Sequence, residues 1–198
     1  MQGGVRPRLR FHHRHDSDDC HQRGGDQADT TRPFRLRCGR DIRADFAARI
    51  VSYLYVDGLV DETPTPDQQA IIDAAAPLVQ ERVQLLGEVP GLLGFLFRDV
   101  AYHDDALAGL PANTGEVLVA SVAALELIPE TEFTTAAVQE ALASALIEGL
   151  GLKPRVAYGP LRVALSGRRV SPPLFESMEL LGKAESIRRL GALVEHQG

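Results

Sequence analysis

Apolar residues recur at intervals of three and four along most of this chain, from Phe46 to Val194. That spacing puts them on one face of an α-helix, whereas a half-buried β-strand requires strict alternation. The sequence contains no convincing alternating stretch and no repeat of fixed period. Since 44% of the 198 residues are hydrophobic, the chain has enough apolar surface for one or two small cores. We predict an all-α fold.

Turn and capping residues divide this apolar pattern into helices. Thr65 and Pro66 predict a helix start, because threonine caps the first amides and proline is tolerated in the first turn. Pro77 is expected to kink or restart that helix, whose apolar stripe continues to Gly87. The other helices are predicted at about 44–56, 90–97, 114–128, 134–149 and 152–166, at 171–182 with Ser171 as cap and Val170 packed on Phe175, and at 183–195 with Arg188 and Arg189 exposed.

The helices group into two small bundles, at 44–129 and 130–196, which follow a leader at 1–43. The leader is rich in arginine, histidine and aspartate, and we expect it to be disordered because its few apolar residues share no face. Cys20 and Cys38 fit no usual zinc site. An arginine-rich RNA-binding arm and an out-of-frame reading of GC-rich DNA are the remaining interpretations, and we favour the second.

The net charge of −6 hides three blocks of different sign. Residues 1–43 carry +4, residues 44–151 carry −14, and residues 152–190 carry +5. A polyanion therefore meets a favourable potential mainly over the third block and the leader. No apolar run reaches the roughly 20 residues of a membrane span, and the N-terminus lacks the apolar core of a signal peptide. We expect a cytoplasmic monomer that makes no contact with a membrane.

Enzymatic chemistry finds little support in the sequence. It contains no glycine-rich phosphate loop, no nucleophile motif and no carboxylate pair with a reason to be buried. His103 is followed by two aspartates, but a short polar run of this kind is typical of a solvated loop. We expect no catalytic residue, no metal site and no bound cofactor in this chain.

The third block concentrates cations beside a proline-rich helix start. Five cations within 17 residues indicate a nucleic-acid-binding face, although a solvated basic surface is the alternative. In the segment Ser171-Pro172-Pro173-Leu174, the prolines fix the backbone and Leu174 offers an apolar platform for an unstacked base. The alternative is that Pro172 and Leu174 serve only as cap and core. The five cations are Lys153, Arg155, Arg162, Arg168 and Arg169.

The same stretch resembles a known family. Lys153-Pro154-Arg155, Gly159-Pro160-Leu161-Arg162-Val163-Ala164 and Ser171-Pro172-Pro173-Leu174-Phe175-Glu176 are similar to the C-terminal anticodon-binding region of bacterial, actinobacterial-like glutamyl-tRNA synthetases, which are class I enzymes. Looser similarity covers 45–49 and 76–83. The resemblance implies that the two bundles are the two helical anticodon-binding domains, and that the partner is the anticodon arm of glutamate tRNA.

The resemblance also implies roles for particular residues. Arg162 and the turn formed by Ser171, Pro172 and Leu174 match positions that read the anticodon in that family. Arg82 is a weaker candidate, because the alignment of the first bundle is loose. The other cations of the basic block, Lys153, Arg155, Arg168 and Arg169, are expected to contact phosphates.

The sequence departs from the family in one respect: it lacks the signature motifs of the catalytic half, which binds ATP and Mg²⁺. We therefore expect a fragment, left by truncation or a frameshift, that binds tRNA but is inactive as a glutamate–tRNA ligase. Two alternatives stay open. The chain is a free-standing protein-interaction adaptor without RNA binding, or it belongs to an active ligase whose sequence is incomplete here.

Overall fold

The structure, a computed structural model, describes residues 42–197, and all of the regular secondary structure in that range is helical. Predictions for residues 1–41 of the leader, including Cys20 and Cys38, lie outside the described residues. Residues 42 and 43, predicted to be part of the disordered leader, are the first two residues of α1. The α-helices between residues 42 and 197 are α1 (Ile42–Val56), α2 (Pro66–Gln80), α3 (Val89–Leu93), α4 (Asp104–Ala108), α5 (Thr114–Glu126), α6 (Thr135–Leu142), α7 (Pro154–Ser166), α8 (Leu174–Leu181) and α9 (Lys183–Gln197). Single 3₁₀ turns cover Leu86–Glu88, Gly94–Leu96 and Glu130–Glu132, and a π-helical stretch, Ala143–Gly149, continues α6. The all-α prediction is confirmed.

The start of α2 follows its local sequence closely. The Thr65 hydroxyl accepts a hydrogen bond from the Gln68 amide, and the Gln68 side chain accepts one from the Thr65 amide, which completes a capping box. α2 runs through Pro77, so the helix does not restart there as the sequence allowed, and the kink stays a prediction. The helix then stops at Gln80, and the apolar residues that follow pack from a turn and a 3₁₀ turn instead.

Two hydrophobic cores lie side by side. The first is built by α1, α2 and α3 and runs along the chain to the partly buried Phe97, and Leu180 of α8 also packs against it. The second begins at Tyr102 and takes in α4 to α9, with α5 packed along α9. The cores therefore divide between 97 and 102, about 30 residues before the predicted domain boundary at 129/130, because α5 buries Val117 and Leu118 in the second core. The division into domains itself stays a prediction.

A buried arginine joins the two cores. Arg189 on α9 is only 5% exposed. Its Nη1 donates to the carbonyl oxygens of Phe95 and Leu165, both at 2.8 Å, and its Nε contacts a Glu185 carboxylate oxygen at 2.5 Å. The prediction that Arg189 is exposed is wrong, whereas Arg188 is exposed as predicted. Burial of Arg189 is tolerated because a carboxylate oxygen and two close carbonyl oxygens accept from its guanidinium.

The connection between the cores is also held from the other side. Gly167 ends α7 in the left-handed conformation, with φ of +70°. Its carbonyl oxygen accepts a hydrogen bond of 3.0 Å from the His103 amide. A Cβ at this position would lie 2.0 Å from the Ala101 carbonyl oxygen, so only glycine fits here.

Candidate nucleic-acid interface

Helix α7 directs several polar and basic side chains to one face. Arg155, Tyr158 and Arg162 are spaced by three and four residues, so they lie along one side of the helix. Ala157, Leu161, Ala164 and Leu165 of the same helix are buried in the second core. Burial of that apolar side fixes the rotation of α7 and leaves the basic side accessible.

An open groove runs along the accessible side of α7. It has a volume of about 680 Å³, and Arg155, Tyr158, Arg162 and Arg169 line it together with residues 109–111. Gly109 makes room for the Arg169 guanidinium, because a Cβ there would lie 3.2 Å from the Arg169 Cζ. We call this space the arginine groove. It combines three cations with an aromatic ring, which is the chemistry that binds a phosphate backbone and unstacked bases.

A turn at Ser171 and Pro172 lies beside Arg162. The Arg162 Nη1 donates to the Ser171 hydroxyl at 3.4 Å and to the Pro172 carbonyl oxygen at 3.3 Å. The Arg82 Nη1, which comes from the first core, donates to the Ser171 carbonyl oxygen at 3.4 Å. The structure thus brings the weaker candidate Arg82 to the same turn as Arg162.

Electrostatics at this turn favour an incoming anion. The pKa of Arg162 is lowered from its ordinary value, first because half-burial removes water from the guanidinium and second because Arg82 is a nearby like charge. Glu176 acts in the opposite direction and raises that pKa. An anion between the two arginines would offset both the repulsion and the lost hydration.

The structure corrects the predicted roles of several turn residues. Ser171 does not cap α8, which begins at Leu174 and has Pro173 at the N-cap position without a side-chain hydrogen bond. The Ser171 hydroxyl instead accepts from Arg162 and donates to the Pro172 carbonyl oxygen at 3.1 Å. Leu174 is 3% exposed and belongs to the second core, so its side chain is not a surface platform. Pro172 is buried as well.

Val170, before this turn, is exposed, whereas Phe175, after it, packs against an aromatic ring. Val170 was predicted to pack on Phe175, but it is 73% exposed. Phe175 packs edge-to-face against Tyr158, with ring centroids 5.2 Å apart. That contact holds the Tyr158 ring at the edge of the arginine groove.

The predicted phosphate contacts separate into distinct positions. Arg155 and Arg169 line the arginine groove, whereas Lys153 is exposed at the N-cap of α7 and does not line it. Arg168 lies near Gly91 of α3, and its Nε donates to the His103 Nε2 at 3.1 Å, at the end of the connection between the cores. His103 is thus a hydrogen-bond acceptor for a candidate RNA-binding residue, a contact that its position in the sequence did not reveal.

Other cations of the basic block bind groups within the protein itself. The Lys183 Nζ donates to the carbonyl oxygens of Glu126 and Ile128, at the C-terminal end of α5. Arg188 pairs with Glu185 and Asp99 on the surface.

In residues 42–197, no three histidine, cysteine or acidic side chains are grouped closely enough to hold a metal ion. Over the same range, no helix is both long and apolar enough to cross a membrane.

Sequence reasoning did not identify Tyr158 or the groove wall at residues 109–111. The spacing of Arg155, Tyr158 and Arg162 was a usable signal for Tyr158, because it places the ring between two cations on one helical face. The groove wall gave no such signal, since it meets α7 only through the tertiary fold.

Comparison with known proteins agrees with this geometry. The family model described as "Anticodon binding domain" matches residues 45–194. The chain is 61% identical over 149 residues to the glutamate–tRNA ligase of Leifsonia xyli subsp. xyli, which covers 74% of this chain and 30% of that protein. It is 53% identical over 152 residues to the glutamate–tRNA ligase of Kocuria rhizophila, with 75% and 30% covered.

Solved structures share the fold. A glutamate tRNA ligase from Elizabethkingia meningosepticum, in complex with its amino acid, superimposes with a TM-score of 0.61 at 20% identity, over 77% of this chain and 29% of that chain. This chain spans about 30% of the length of the curated relatives named above. The resemblance found in the sequence is confirmed, and the chain belongs to the anticodon-binding domain family.

Proposed function

We propose that this chain binds tRNA through the arginine groove and the adjoining Ser171–Pro172 turn. The observation that carries the proposal is the convergence of Arg155, Arg162 and Arg169 with Tyr158 in one groove. Arginine pairs with phosphates and stacks on bases, and a tyrosine ring offers a base a second planar surface. Membership of the anticodon-binding domain family supports an RNA loop as the ligand.

The proposed RNA is the anticodon arm of glutamate tRNA. The relatives with 61% and 53% identity are glutamate–tRNA ligases, which supports this choice of tRNA. Single-stranded loops expose base edges that a folded protein reads by stacking and hydrogen bonds. Arg162 would contact the loop with the Ser171 hydroxyl and the Pro172 carbonyl beside it, and Arg155 and Arg169 would contact the flanking phosphates.

The proposal gives the chain a binding role in tRNA aminoacylation, without catalysis, cofactor or metal of its own. The chain would act as a monomer in the cytoplasm, the compartment in which tRNA is used. An aminoacylation assay on the 198-residue chain should show no activity, whereas tRNA binding should be measurable. The reverse result would contradict the proposed division of labour.

The test measures the affinity of the full chain for a glutamate tRNA transcript by fluorescence anisotropy. Arg162→Ala should weaken binding roughly tenfold or more, and Arg155→Ala should reduce the slope of log affinity against log salt by about one. Arg98→Ala is the matched control, because Arg98 is exposed, pairs with Asp57 and does not line the groove.

Two outcomes would contradict the proposal. One is equal affinity of wild-type and Arg162→Ala protein for the transcript. The other is an equal loss in the Arg98→Ala control, which would indicate a general charge effect. A transcript with an altered anticodon loop should bind more weakly than the glutamate tRNA if the loop is the part recognised.

A further inference from the structure

The candidate RNA site is assembled from both cores. Arg82 directly follows α2, a helix of the first core, whereas Arg162 lies on α7 and Ser171 precedes α8, two helices of the second. The two arginines meet only because the cores lie in a particular relative position. Any change in that position would separate Arg82 from the Ser171 carbonyl oxygen.

The contacts within the site are too weak to hold the cores in place. The hydrogen bonds from Arg82 and Arg162 to the turn measure 3.3–3.4 Å, beyond the usual range for a strong N–H···O bond. The two guanidinium groups are also like charges, so their proximity works against the arrangement. The relative position of the cores must be fixed elsewhere.

Leu180 of α8 packs against the first core, and Arg189 adds hydrogen bonds that can fix this position. Its Nη1 donates to the carbonyl oxygen of the buried Phe95, in the 3₁₀ turn Gly94–Leu96 that follows α3, and to that of Leu165 in α7, the helix of Arg162. Its Nη2 reaches the Arg98 carbonyl oxygen at 3.5 Å, and Glu185 fixes its Nε. One rigid, planar group thus ties the end of the first core to the helix that carries Arg162.

We propose that Arg189 is a positioning residue of the RNA site, which holds Arg82 of the first core in register with Arg162 of the second. This inference rests on the proposed tRNA binding for its affinity readout. Arg189 would not touch the RNA, because its side chain is buried. It would act through the relative position of the two cores.

The affinity test is a double-mutant cycle between Arg82 and Arg189. In the wild-type background, Arg82→Ala should weaken binding of the glutamate tRNA transcript roughly tenfold. In an Arg189→Met background, where Arg82 is already out of register, the same change should have an effect of at most about twofold. Arg188→Met is the matched control background, because Arg188 is the neighbouring, exposed arginine of α9, and there the tenfold effect should persist.

A second measurement reads the position of the cores without RNA. Nitroxide labels at Val56→Cys and Val119→Cys, both exposed, report on the first and second cores. Cys20 and Cys38 are replaced by serine in every variant. The distance distribution between the labels should be narrow in the wild-type and Arg188→Met backgrounds and broad in Arg189→Met.

The two readouts distinguish failure of the inference from failure of the proposed function. If the wild-type chain does not bind tRNA, the proposed function fails and the distance distribution alone decides the role of Arg189. An unchanged distribution in Arg189→Met, or an Arg82→Ala effect of equal size in both backgrounds, overturns the inference. Should Arg189→Met not fold, Arg189→Lys takes its place, since it keeps the charge but cannot span the same carbonyl oxygens.

Discussion

The junction around Arg189 and the groove around Arg162 use the same side chain in opposite ways. Arg189 is 5% exposed and finds a carboxylate and two carbonyl oxygens at 2.5–2.8 Å. Arg162 is half-buried, has only contacts of 3.3–3.4 Å, and has Arg82 as a neighbour. The difference teaches that a guanidinium with a full set of acceptors serves the fold, whereas one short of acceptors is available to a ligand.

The largest expected effect is on stability, and it separates the two regions. Arg189→Met should lower the free energy of unfolding by about 3 kcal/mol, because it leaves buried carbonyl oxygens without donors. Arg155→Met, in the groove, should change it by less than about 0.5 kcal/mol. Urea denaturation of both variants measures the contrast. Similar losses in the two variants would remove the distinction between junction and groove.

A smaller loss is expected on the other side of the junction. Gly167→Ala places a Cβ 2.0 Å from the Ala101 carbonyl oxygen and keeps a φ of +70° that alanine disfavours. The backbone must shift, and the cost should be about 2 kcal/mol. Gly58→Ala is the matched control, because Gly58 has the same φ but no atom within 4 Å of its Cβ. Equal thermal stability of the two variants would show that the Ala101 contact is unimportant.

The smallest effect concerns acid stability at the junction. The pKa of Glu185 is lowered to about 2, mainly by a hydrogen bond from Arg188, with Arg189 adding to it and partial burial opposing it. The unfolded chain has a pKa near 4.5, so the stability contributed by Glu185 is complete above about 4.5 and is lost as the pH falls toward 2. Glu185→Gln should therefore lose less stability than wild type over that interval. Parallel stability curves for the two proteins would contradict this.

Local sequence predicted most of the helices, but α4 was expected to be a loop, and the end of α2 and the start of α8 were misplaced. The cap at Thr65 and the first-turn Pro66 act within a few residues, so their roles follow from spacing alone. The roles of Ser171 and Leu174 were harder to predict. A hydroxyl at a helix start can cap the helix or bond a distant side chain, and an apolar residue there can lie on the surface or in the core. In this fold the tertiary use prevails.

The candidate site was only partly predictable. The concentration of cations between 153 and 169 indicated nucleic-acid binding, and the spacing on α7 placed Arg155 and Arg162 together. The role of Arg189 was hidden, because its acceptors at Phe95 and Leu165 are 94 and 24 residues away. Charge in a sequence does not tell which arginines already have partners. That information exists only once distant backbone carbonyls have been brought together.

The segment between the cores, residues 98–103, has a mechanical consequence. A short, polar connection of this kind would ordinarily act as a hinge between two bodies. Just before it, the Phe95 carbonyl oxygen accepts from the Arg189 Nη1 at 2.8 Å, and at its end the His103 amide donates to the Gly167 carbonyl oxygen at 3.0 Å. Because it is fixed at both ends, we expect this connection to be rigid. The two cores would then present one preformed surface to the proposed RNA loop. Such a surface loses little conformational entropy on binding.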